Sequence, residues 1–360
     1  MRLLKLGFIG SFVPLICGAL LYGIATLPMD SSSTEKKIII IQRGQSPMEI
    51  SRLLENEKVI SDARIVFWAG RITHQWNKVK AGEYEVAPSM SPLAVLGVIA
   101  SGISIPHPVT VREGENLYDI ATDLEAKGLA KAAHFLELSK DAEFIGTLTP
   151  TLGNEVVSVS SLEGYLYPDT YYLNRTMSAE DIIRAMVRHS NERWTTKDAS
   201  RARELHLSRH QVLTLASIVE KETGAPEERP RIAAVFFNRL RKKMRLQSDP
   251  TTIYGMWETY QAQGQKIHRS DLAAHTPYNT YAVNGLPVGP IANPGAAAVQ
   301  AVLYPMETSD LYFVSHNDGT HQFSADLDAH NRAVRKFQLD RRAREGKSWR
   351  DLKKREATSR

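Results

Sequence analysis

The sequence predicts an α+β protein hung from one N-terminal transmembrane helix, and three observations predict it. Residues 6–27 form a charge-free apolar run behind Arg2 and Lys5. A strand, glycine-turn and helix pattern occurs twice, seventy residues apart. Past residue 207, helical periodicities give way to a turn-rich stretch and then a pair of short strands. The result is a membrane span, a small αβ module and a larger α+β domain, and 360 residues hold about two domains with a real core.

The 22 residues from Leu6 to Leu27 would span about 33 Å as a helix, enough for a bilayer core. The run is longer than the apolar core of a cleaved signal peptide, so it reads as an uncleaved single-pass anchor. Its cationic flank places residues 1–5 in the cytoplasm and the rest outside the inner membrane. Cys17, the one cysteine, lies inside this run, so the chain has no internal disulfide and no thiolate zinc cluster. Pro14, Leu15 and Ile16 before it lack the small residue that precedes a lipid-modified cysteine. Residues 28–36, PMDSSSTEK, read as a flexible linker.

KIIIIQRGQSPMEISRLLENEKVI opens the small module, residues 37–105, and PVTVREGENLYDIATDLEAKGL opens the larger domain, residues 106–340. Gly44 falls over Gly114, Ile50 over Ile120 and Leu54 over Leu124, so one local unit is used twice. Residues 131–160 are helical and then polar. In SLEGYLYPDTYYL, Glu163 and Tyr167 stand among Tyr165, Tyr171 and Tyr172. Such a cluster offers platforms for sugar rings or simply packs as core. The ordinary role of Glu163 is to hold a loop through backbone amides.

The central helix follows. Ser208 and Gln211 make a capping box, and the helix should run to about Thr223, where Gly224 and Pro226 stop it. At 100° per residue, Val212, Leu213, Leu215, Ala216, Ile218 and Val219 fill an apolar arc with Thr214 and Lys221 opposite. Glu220 and Glu222 both fall on the inward side. A carboxyl there is paired, protonated or turned to a cleft, and apolar surroundings favour the protonated form a general acid needs. The alternative is a buried ion pair with Arg239 or Arg245. Geometry does not choose between the two glutamates.

RIAAVFFNRL reads as the next helix, with Ile232, Val235, Phe236 and Leu240 buried and Asn238 and Arg239 near its end. RLQSDPTTIYG offers Gln247, Asp249 and Tyr254, with Asp249 before Pro250 also suited to cap a helix. TPYNTYAVNGLPVGPIANPG is dense in turn formers and polar amides and should be loop. Its Tyr278, Asn279, Thr280, Tyr281 and Asn293 are candidates to face sugar hydroxyls, or else brace the loop. LYFVSHNDGTHQFSADLDAHNRAV reads as strand, turn at Asp318 and Gly319, strand and helix.

ASIVEKET, FFNRL and RLQSDPTTIYG, with SLEGYLYPDTY upstream and YNTYAVNGLPVGPIANPG downstream, resemble the MltG (YceG-like) family of endolytic murein transglycosylases. The resemblance runs from the anchor to about residue 335 through five motif blocks in order. It implies a membrane-anchored lyase that cuts peptidoglycan glycan strands internally, with Glu220 as catalytic acid and base. It also implies that the Gln247, Asp249 and Tyr254 block lines the glycan groove. The first repeat and its AGEYEV strand resemble the LysM-like module of this family, which binds glycan or only scaffolds. The family's cut is thought to end growing strands beside cell-wall synthases, making synthase and divisome proteins partners.

The formal charge of +5 is local: residues 341–360 carry nine Lys or Arg against three Asp or Glu, leaving about −1 for the rest. The basic tail reads as a solvated extension or a weak contact with anionic lipid, and the body has no basic and aromatic tract for nucleic acid. No GxGxxG, P-loop, GxSxG or HExxH occurs, so neither metal nor cofactor is expected. Two other readings remain open. One is a hydrolase pairing Glu220 with Asp249 or Glu163; the other is a non-catalytic peptidoglycan-binding scaffold.

Overall fold

The β-branched run at the head of the first repeat pairs as β1 (Lys37–Ile41) with β2 (Gly82–Val86), antiparallel, with Ile39 opposite Tyr84. Between them come α1 (Pro47–Asn56) and α2 (Ala63–Ile72), and α3 (Pro92–Ala100) follows. The structure, a computed structural model, describes residues 23–152, 159–222, 225–260 and 267–340. Cys17, nearly all of the expected membrane span and the basic tail lie outside them. Among the described residues no helix is long and apolar enough to cross a membrane.

By their contacts, the described residues up to 108, with 172–178, form one unit, and the described residues from 109 to 171 and from 179 onward form the other. In the first, Ile39, Ile41, Ile50, Leu54, Val66, Tyr84, Leu96 and Ile99 make the core. Buried Glu83 is held there by His107 at 2.9 Å and by the Arg175 guanidinium at 3.0 Å.

The repeat is visible in the backbone. The second copy forms β3 (His107–Thr110) and α4 (Leu117–Ala126), whose helix bounds sit seventy residues after those of α1. Ser46 and Asn116 cap the two helices with full capping boxes. Gly44 and Gly114 take φ of 81° and 80°, a left-handed turn that costs glycine nothing.

The larger unit is mainly helical: α5 (Ala132–Leu138), α6 (Ala142–Leu152), α7 (Ala179–Arg193), α8 (Thr196–Glu204), α9 (Arg209–Glu222), α10 (Arg229–Arg241), α11 (Asp249–Tyr260), α12 (Ala296–Leu303) and α13 (Leu327–Val334). Strand β4 (Thr170–Leu173) pairs with β3, and β5 (Tyr312–Ser315) forms a hairpin with β6 (His321–Ser324) around Gly319 at φ 97°. Residues 276–295 are free of helix and strand, as their turn residues require.

Helix α9 is the centre of this unit, packed against α10 and α12. Its capping box forms as expected, with the Ser208 amide 2.9 Å from Gln211 Oε1 and the Gln211 amide 3.2 Å from Ser208 Oγ. Of the two residues expected on the polar face, Lys221 is exposed but Thr214 is buried with the apolar residues, and so is Ser217. Thr214 Oγ1 donates to the His210 carbonyl at 2.7 Å. Ser217 Oγ donates to the Thr214 carbonyl at 2.7 Å and accepts from the Ile291 amide at 3.0 Å. With every hydroxyl satisfied, both residues enter the core without an unpaired donor or acceptor. Each fully buried Val, Leu or Ile around them contributes about 1.5–3 kcal/mol.

Candidate active site at the end of the central helix

The last turn of α9 carries two carboxylates out of this core in different directions. Glu220, with a side chain 5% exposed, accepts from Arg229 Nη2 at 2.7 Å on Oε1 and from the Gly295 amide at 3.1 Å on Oε2. Arg229 opens α10, and Gly295 precedes α12. The ion-pair partner is therefore Arg229, not Arg239 or Arg245. Arg239 Nε donates to the Leu311 carbonyl at 2.7 Å, and Arg245 Nη1 to the Tyr281 carbonyl at 2.7 Å.

Around Glu220 the backbone closes tightly. A Cβ placed on Gly114 would lie 3.6 Å from Glu220 Cγ, and one on Gly295 would lie 1.9 Å from Glu113 Oε1. The Gly114 carbonyl accepts from Lys221 Nζ at 3.0 Å, and its amide donates to the Asn293 carbonyl at 2.9 Å. Arg229 Nη2 is also 3.9 Å from Glu113 Oε2, so one guanidinium stands between two carboxylates.

Glu222 turns the other way. Ser248 Oγ donates to its Oε1, and burial pushes its carboxyl up to about 7 against that hydrogen bond. The 247–251 segment it meets is braced by the loop expected to face sugars. Thr280 is fully buried: its Oγ1 accepts from the Ser248 amide at 2.9 Å and bonds Thr251 Oγ1 at 2.8 Å, while its carbonyl accepts from the Gln247 amide at 3.2 Å. Asn279, also fully buried, accepts from Thr252 Oγ1 at 2.9 Å and donates to the Ala274 carbonyl at 2.7 Å. Asp249 and Gln247 are exposed, with Gln247 at φ 51°. Asp249 starts α11 itself, one place past the cap position, and accepts from Tyr281 OH at 2.7 Å.

Glu163 forms a third node, 1% exposed. Its Oε2 accepts from the Leu117 amide at 3.0 Å and Tyr254 OH at 2.9 Å, and its Oε1 from Asn293 Nδ2 at 3.2 Å. Burial pushes this carboxyl up to about 8, while the Leu117 amide and the Tyr254 hydroxyl pull it back. Tyr278 stacks edge-on against Tyr254, ring centroids 4.8 Å apart. Glu163 thus has its ordinary loop-holding role, tying the α4 start to Tyr254 and Asn293. Asn293 in turn accepts from the Leu166 amide at 2.9 Å. Asn238 lies apart, donating to the Thr308 and Asp310 carbonyls at 2.8 and 2.9 Å.

Tyr167 is half-buried and borders a cavity of about 500 Å³ beside Pro294 and Ala296, the neighbours of Gly295. Glu220 does not line that cavity. The structure therefore joins Glu220 to the Asn293–Gly295 segment, and gathers Gln247, Asp249, Asn279, Thr280 and Tyr281 on the Glu222 side. Arg229, Gly295 and Glu113 escaped the sequence reading, since a contact across turns leaves no period to find.

A family model described as YceG-like matches residues 39–336. The endolytic murein transglycosylase of Bacillus subtilis is 33% identical over 333 residues, covering 90% of this chain and 91% of that protein. The endolytic murein transglycosylase of Streptococcus pneumoniae is 29% identical over 333 residues, covering 86% of this chain but 59% of its own longer length. A crystal structure of a yceG-like protein from Listeria monocytogenes superposes with TM-score 0.58 at 35% identity, over 83% of this chain and 99% of that one.

Proposed function

We propose, from the premise that this chain belongs to the YceG-like family, that it is an endolytic murein transglycosylase, a lyase acting on peptidoglycan. Glu220 is its acid and base. The carboxyl of Glu220 gives its proton to the oxygen linking N-acetylmuramic acid to N-acetylglucosamine as the C1–O bond breaks through an oxocarbenium-like state. The resulting carboxylate takes the proton of the muramic 6-hydroxyl, whose oxygen closes on C1 to leave a 1,6-anhydro end. No water enters, so one carboxyl serves both half-reactions, and the attacking hydroxyl already belongs to the sugar whose C1 it attacks.

What supports this reading is the family match and the relatives that share it. Both oxygens of Glu220 already accept hydrogen bonds, from Arg229 and from the Gly295 amide. Proton donation in the first half-reaction requires one partner to give way. Arg229, 3.9 Å from Glu113, has a second carboxylate to turn to.

The apolar segment at residues 6–27 anchors the chain in the inner membrane with both units outside the cytoplasm, and the small unit is LysM-like. Cuts made there end growing strands beside the synthases. Digesting intact murein in ¹⁸O-labelled water tests the reaction by mass spectrometry of the products. Anhydro-muramic ends free of label are expected. Label in the new ends would replace the lyase with a two-carboxylate hydrolase.

A further inference from the structure

The cavity beside Pro294 and Ala296 does not end there. A second cavity, of about 480 Å³, shares Lys197 and Tyr304 with it, so the two form one groove along α8. Its walls are aromatic and cationic. Arg209 sits buried in the wall between the rings of Tyr165 and Trp194, 5.6 and 5.4 Å from their centroids, and its Nη1 donates to Asn191 Oδ1 at 2.6 Å. Arg193 lies over the Tyr167 ring at 5.4 Å, and Arg201 over Tyr304 at 5.3 Å.

The acids of the groove are already engaged. Asp198 accepts from the Thr195 amide at 2.9 Å and from Gln300 Nε2 at 2.8 Å. Glu204 pairs with Arg201 at 2.7 Å, and Glu192 stands 3.5 Å from His189. The cations are less committed: Arg193 is 3.8 Å from Asp169, and Lys197 has no partner among the described residues. With Arg193, Lys197, Arg201 and Arg209 against Glu192, Asp198 and Glu204, the groove offers a ligand a small positive excess over aromatic surface, and it begins at the segment that holds Glu220.

We infer that this groove binds the acidic peptide stems of the glycan strand, an inference that rests on the peptidoglycan reading above. The sugars of the strand are uncharged, so cations gain nothing from them. The peptide on the muramic lactyl group carries free carboxylates that Lys197 and Arg193 can meet, with apolar side chains to lie on Trp194 and Tyr304.

Binding separates this from catalysis. In a Glu220→Gln background, to suppress turnover, the full chain in detergent is titrated with uncrosslinked strands that keep their stems and with the same strands stripped by an amidase and methylamidated at the lactyl carboxylate that the amidase frees. The parent is expected to bind peptide-bearing strands more tightly. Combined Lys197→Glu and Arg193→Glu substitutions should weaken that binding roughly fivefold, with far less effect on stripped strands. Equal affinity of the parent for both strands would overturn the groove, as would a preference that survives the charge reversal. A preference lost on charge reversal, in a protein whose wild type cuts neither strand, would keep the groove and remove the lyase.

Discussion

Glu220→Gln keeps the side chain's shape and removes its proton chemistry, whereas Glu222→Gln changes a carboxyl already tied to Ser248. The first should lower strand cleavage by about 10²–10⁴-fold, the range of a lost general acid; the second should leave most of it. Anhydro ends counted by mass spectrometry decide between them, and the reverse order would move the chemistry to Glu222. Glu163 carries a different signature. Its carboxyl has an ordinary value of 4.5 and is raised by burial to about 8 in the folded chain. Below the lower value both states hold the proton, and between the two only the folded state does. Its contribution to stability is therefore complete at low pH and falls as pH rises to about 8, by at most about 1.4 kcal/mol per unit. Urea melts at pH 5 and pH 8 should show a smaller loss for Glu163→Gln than for the wild type. Equal losses would mean that Glu163 is ionised throughout.

The two glycine turns are alike in backbone and unlike in surroundings. Gly44→Ala and Gly114→Ala should each cost about 1 kcal/mol of left-handed strain. Only Gly114 joins Lys221 and Asn293 through its carbonyl and amide, so only Gly114→Ala should also slow cleavage; paired urea melts and activity assays test this. The repeat that predicts these turns was legible because a left-handed glycine, a cap and an apolar period all leave marks in the letters. So were the bounds of α9 and the absence of helix or strand from residues 276–295. Less legible was what the polar residues do. Thr214 looks solvent-facing but is buried, because its hydroxyl bonds back to its own helix. Asn279 and Thr280 have the groups a sugar would want, yet backbone carbonyls and amides use the same groups, and here they hold the loop together. Arg229 was invisible for another reason, since its pairing with Glu220 depends on how α10 returns against α9.

At the scale of the whole molecule, the described residues form one core around the β1–β2 ribbon and another around α9. The apolar run ahead of them predicts that the protein stays in the membrane pellet after carbonate extraction, and that deleting residues 1–27 releases it to the supernatant. Recovery of the full chain in the supernatant would remove the anchor. The final turn of α9 has a consequence for everything built on it. Neighbouring stretches of chain on opposite sides are moored to the same few backbone atoms, one through Glu220 and the other through Glu222. Neither bank can swing outward without tugging the post they share, so the two yield in concert.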